Sequence, residues 1–84
     1  MKREPRITLF STRQCTYCRQ VKAFLKRHHI SFMEQDVERD PRAFKAFRRA
    51  GGSGVPLILV GNRRLHGFEK GELATALRQA GFDV

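Results

Sequence analysis

The sequence predicts an α/β fold: a four-stranded mixed sheet with three helices, in the order β-α-β-α-β-β-α. Three observations point to it. Short apolar runs alternate with longer stretches of helical periodicity. A strand–helix–strand start implies a parallel pair joined by a right-handed crossover. Gly61-Asn62, following a dense apolar run, is a two-residue hairpin signal that adds an antiparallel pair. The 84 residues are enough for one domain, taken as 1–84.

Each element has its own reason. Ile7–Phe10 reads as a short buried strand, and Ser11–Gln14 as the loop that follows. From Thr16 to His29 the positions Cys18, Val21, Phe24, Leu25 and His28 recur at helical spacing, while Arg19, Lys22, Lys26 and Arg27 fall mostly outward. Ile30–Val37 alternates and reads as a second strand. Asp40-Pro41 starts the next helix, because Asp caps and Pro suits the first turn. Ala43, Phe44 and Phe47 are expected to form its buried stripe, ending before Gly51-Gly52. Leu57–Val60 is a third strand and Arg63–His66 its hairpin partner. Gly67 breaks the pattern. Phe68–Ala80 reads as the last helix, with Leu73, Ala76, Leu77 and Ala80 inward and Gly81 as its stop.

Composition excludes several classes. The first apolar run, Ile7–Phe10, is far too short for a signal peptide or a membrane span. A cytoplasmic location without membrane partners is expected. The net charge of +9 attracts nucleic acid, anionic membrane or acidic proteins. A nucleic-acid module would need exposed aromatics on its basic face, yet most of the seven phenylalanines fall at inward positions. Solvated helix faces that steer acidic protein partners are the preferred reading of Arg19, Lys22, Lys26 and Arg27, and of Arg42, Lys45, Arg48 and Arg49.

The two cysteines stand as Cys15-x-x-Cys18. In a reducing cytosol such a pair is a redox couple or half a metal site more often than a structural staple. Zinc fits poorly. Nine residues separate Cys18 from His28, and His28 and His29 are adjacent, so on a helix they point about 100° apart. No metal is therefore assigned. Cys15 precedes the helix, where unpaired backbone N–H groups favour a thiolate. Arg13 and Lys22 are placed to add positive potential. Cys15 is thus the expected nucleophile. Cys18, one turn into the helix and facing inward, is the expected resolving thiol.

Over nearly its whole length the chain resembles the glutaredoxins and their thioredoxin-fold relatives. Cys15-Thr16-Tyr17-Cys18 is similar to the family's Cys-Pro-Tyr-Cys site. Gly54-Val55-Pro56 is similar to its Thr-Val-Pro segment, whose proline is cis. His66-Gly67-Phe68-Glu69 stands where glutaredoxins carry Gly-Gly-x-Asp-Asp. The resemblance implies a dithiol oxidoreductase that reduces protein disulfides or glutathione mixed disulfides. It places Arg13, Tyr17, Val55, Pro56, Gly67, Phe68 and Glu69 around the substrate or glutathione. It implies no bound cofactor, glutathione as co-substrate and a monomer.

Two departures open alternatives. Thr16 replaces the usual proline, as in some relatives that hold an iron–sulfur cluster between two copies. Glu69 and Lys70 replace two aspartates at the start of the last helix. Gly67-Phe68 also resembles glutaredoxin-like hydrogen donors of ribonucleotide reductase, which thioredoxin reductase recharges in place of glutathione.

Overall fold

The alternating apolar residues and helix signals assemble into seven elements in the expected order. They are β1 (Ile7–Ser11), α1 (Thr16–Arg27), β2 (Met33–Asp36), α2 (Pro41–Arg49), β3 (Leu57–Val60), β4 (Arg63–His66) and α3 (Lys70–Gln79). The structure, a computed structural model, describes residues 5–84. The sheet runs β2-β1-β3-β4. β1 pairs with β2 in parallel and with β3 antiparallel, and β3 pairs antiparallel with β4. This is the thioredoxin fold.

Strand alternation sorts the core into two layers. Ile7 and Leu9 of β1 and Ile58 and Val60 of β3 face α1 and α3, where they meet Val21, Leu25, Leu73 and Leu77. On the other face Phe10 and Leu57 meet Phe47 of α2. No helix among the described residues is long and apolar enough to cross a membrane.

The caps follow the sequence signals. Asp40 accepts the Arg42 N–H at 2.9 Å, with Pro41 in the first turn of α2. Gly61 takes φ 59°, the positive value a hairpin with glycine at its first central position requires.

Four expectations are corrected. α1 stops at Arg27 instead of His29. His28 caps it, His29 turns at φ 56°, and the Ile30 N–H returns to the Leu25 carbonyl at 2.9 Å. That bond consumes Ile30, so β2 begins at Met33 instead of Ile30. α3 begins at Lys70 instead of Phe68, because Glu69 caps it and Phe68 packs on the α1–α3 core. Phe44 is 45% exposed and not part of the buried stripe. The nine-residue α2 covers a narrow patch that Ala43 and Phe47 fill, and Phe44 stands outside under the Arg48 guanidinium.

Candidate functional site

The turn after β1 delivers Cys15 to the head of α1. Cys15 has extended backbone (φ −86°, ψ 111°) and occupies the position before the first helical residue, where a side chain satisfies an orphan N–H. Its Sγ accepts the Cys18 N–H at 3.1 Å. Its carbonyl accepts the Arg19 N–H at 3.2 Å and so begins the helical ladder. The sulfur therefore takes the capping place that serine or aspartate fills in other helices. An anion there faces the positive end of the helix dipole.

The two sulfurs differ in setting. Cys15 is half-buried, whereas Cys18 is 1% exposed, and both are free thiols. Burial pushes the Cys18 thiol up to about 12, helped by its hydrogen bond with Cys15 and by the Cys15 charge. A backbone hydrogen bond with Thr12 and the Lys22 charge pull the other way without offsetting this.

Lys22 also has a partner of its own. Its Nζ lies 3.1 Å from Glu34 Oε2, and the buried Ser11 Oγ–H donates to the same oxygen at 2.9 Å. This Ser11–Glu34–Lys22 chain ties β1, β2 and α1 together beneath the cysteine turn. It had no sequence signal, since Ser11 and Glu34 lie 23 residues apart.

The remaining expected residues fall at the same end of the sheet. The Val55–Pro56 peptide is cis. Pro56 directly precedes Leu57, which pairs with Phe10 near the end of β1. The Pro56 carbonyl accepts the Gly67 N–H at 2.9 Å, which fixes Gly67 (φ 81°) and Phe68 beside it. Arg13 and Tyr17 are exposed, Tyr17 to 59%. Glu69 turns back onto its own helix, where its carboxylate accepts the Glu72 N–H.

Among the described residues no cluster of three or more His, Cys, Asp or Glu is placed for a metal. His28 instead stacks on Phe24, with ring centroids 4.6 Å apart.

The difference between the sulfurs is open to direct measurement. Iodoacetamide at pH 8 is expected to take up one equivalent, on Cys15. Cys18 should react only after denaturation, or as the pH approaches 12. Peptide mass mapping checks it; equal labelling of both cysteines in the folded protein would contradict the burial of Cys18.

Comparison with known proteins agrees with this arrangement. The model of the family described as Glutaredoxin matches residues 7–65. The glutaredoxin-like protein NrdH of Lactococcus lactis subsp. cremoris (strain MG1363) is 29% identical over 68 residues, which cover 81% of this chain and 94% of that protein. An uncharacterized glutaredoxin-like 8.6 kDa protein in the rubredoxin operon of Clostridium pasteurianum is 32% identical over 68 residues, covering 80% and 91%. Among solved structures, the glutaredoxin-like NrdH-redoxin from Escherichia coli, described as having a thioredoxin-like activity profile, superposes with a TM-score of 0.74. It is 26% identical, and the match covers 83% of this chain and 92% of that one. A thioredoxin fold that sets a reduced C-x-x-C pair at the head of its first helix, matched to that family along most of its length, makes this chain a member of the glutaredoxin family and a glutaredoxin-like thiol–disulfide oxidoreductase.

Proposed function

We propose that the chain reduces protein disulfides through Cys15 and Cys18, and that thioredoxin reductase rather than glutathione returns it to the dithiol form. Cys15 is the nucleophile. Its thiolate attacks one sulfur of a client disulfide, forms a mixed disulfide and releases the other client sulfur as a thiolate. Cys18 then loses its proton and attacks Cys15 Sγ. The second client thiol leaves, and two electrons have passed from the pair to the client. Part of what holds Cys18 protonated comes from Cys15 itself, through its hydrogen bond and its charge. Once Cys15 is bonded to the client, that part disappears and Cys18 becomes easier to ionise. The order of steps is thus built into the pair.

Arg13, Tyr17, Val55, Pro56, Gly67 and Phe68 flank the sulfurs in this reading and contact the client. The exposed Tyr17 ring offers an apolar wall and the exposed Arg13 a cation. A cytosolic setting suits the reaction, because reductants there hold such pairs as thiols.

The choice of reductant rests on Glu69. The resemblance gives the start of the last helix to the γ-glutamyl end of glutathione. Here the Glu69 carboxylate takes that helix end for itself by accepting the Glu72 N–H. A second carboxylate would meet its charge and find the donor occupied. The relatives named NrdH, one with a thioredoxin-like activity profile, support the same choice. A hydrogen donor for ribonucleotide reductase is the finer form of this reading.

The test supplies NADPH with either of two couples: thioredoxin reductase, or glutathione with glutathione reductase. Steady reduction of a small disulfide is expected with the first. Turnover sustained only by the second would overturn the assignment of the reductant. Turnover with neither would overturn the enzymatic reading of the cysteine pair.

A further inference from the structure

A groove of about 1300 Å³ opens between α1 and α3 and contains neither cysteine. It lies on the side of the sheet away from α2, because α1 and α3 share one core layer and α2 covers the other. Its floor is apolar, made by Ala23, Phe24, Phe68 and Ala74. Small side chains on both helices keep it open. Its edges carry Lys26, Arg27, Lys70 and Arg78 against the one carboxylate of Glu69. Among the described residues the ion pair formed is Lys22–Glu34, so Lys26, Arg27 and Lys70 have no carboxylate partner there, while the Arg78 Nε–H donates to the Val84 carbonyl oxygen at 2.8 Å. Three unmatched positive charges around an apolar trough complement a negatively charged segment that carries an apolar side chain.

The position of the groove matters as much as its charge. One end is at Phe68, next to Gly67, whose N–H is held by the Pro56 carbonyl at the cysteine end of the sheet. From there it follows α1 from Gln20 to Arg27, two helical turns or about 10 Å. That is room for about three residues of extended chain. A polypeptide with its disulfide at Cys15 can therefore continue along the groove.

We infer that the α1–α3 groove is a second docking subsite for the disulfide-bearing client, and that it takes an acidic segment with an apolar anchor next to the disulfide. The inference rests on the redox reading above but concerns a surface the chemistry does not use. The anchor packs over Phe24 and Ala74, and the flanking carboxylates pair with Lys26 and Arg27. The site raises the local concentration of the client disulfide at Cys15 without touching the sulfur exchange.

Binding of a fluorescein-labelled, cysteine-free peptide rich in Asp and Glu with one central Leu, followed by anisotropy, reads the groove independently of turnover. Saturable binding by the wild type is expected. Lys26→Glu/Arg27→Glu is expected to weaken it about tenfold. Arg42→Glu/Lys45→Glu changes the net charge equally on the far side of the sheet and should have a much smaller effect. Replacing the peptide's Leu by Ser should also weaken binding. In turnover, Lys26→Glu/Arg27→Glu should raise KM for a disulfide peptide with an acidic flank and leave hydroxyethyl disulfide reduction unchanged. Circular dichroism confirms that each variant is folded. Equal loss in the two charge-reversed proteins, indifference to the Leu, or tighter binding of a short single-stranded DNA of equal charge would overturn the inference. Loss of hydroxyethyl disulfide reduction in the wild type, with peptide binding intact, would instead sink the redox reading alone.

Discussion

Cys15→Ser is expected to reduce disulfide turnover by at least about 10³-fold, to the level of the assay blank. Serine keeps the geometry. Its hydroxyl oxygen caps α1 as well as the sulfur does and accepts the same Cys18 N–H, so the fold should be unchanged or slightly more stable. What is lost is the nucleophile, since a serine hydroxyl is far less acidic than a thiol and a poorer attacker of sulfur. The substitution therefore separates chemistry from structure. Turnover of a small disulfide and a thermal melt, measured on the same sample, check both halves. Cys18→Ser is the complementary case. It leaves the first attack in place and removes the second, so it should trap protein clients on Cys15. Trapped complexes are read by non-reducing electrophoresis. A Cys15→Ser protein that still turned over, or a Cys18→Ser protein that trapped nothing, would reverse the roles of the two sulfurs.

Gly52→Ala is expected to be the most damaging single methyl added to the chain. A Cβ at Gly52 would fall on the Phe47 ring. Phe47 has little room to withdraw. It is 5% exposed, and its ring packs 5.7 Å from that of Phe10. Together with Leu57 these two residues make the buried centre of the cluster between α2 and the sheet. Gly52 also anchors the end of the helix, where its N–H returns to the Phe47 carbonyl at 2.9 Å. Overpacking of this kind costs about 1–3 kcal/mol. For a domain of this size that is a fall in Tm of roughly 5–20 °C. Gly54, which has nothing within reach of an added Cβ, is the control and should melt within a few degrees of the wild type. Equal melting temperatures for Gly52→Ala and the wild type would mean that α2 shifts freely on the sheet.

Much of this was legible before the structure. Asp40-Pro41, Gly61-Asn62 and the C-x-x-C pair are local signals, each spanning a few residues whose backbone preferences or chemistry act without help from the rest of the chain. The periodicity that turned Val21, Phe24 and Leu25 inward is local in the same sense. From these the element order, the identity of the central strands and the position of the redox pair follow directly.

The tertiary structure decided what depends on pairing between distant parts. Phe44 has the spacing of a core residue, yet the apolar patch beneath α2 is filled by Ala43 and Phe47 against Phe10 and Leu57, so the ring stays outside. Lys22 adds positive potential at Cys18, as expected, but it also pairs with Glu34 of β2, a partner that only the packing of α1 on the sheet supplies. Glu69 caps its own helix, and the α1–α3 groove exists because two helices far apart in sequence settle side by side. Propensity and periodicity act over a turn or a pair of strand residues. Burial, ion pairing and surface shape depend on which elements meet, and packing alone determines that.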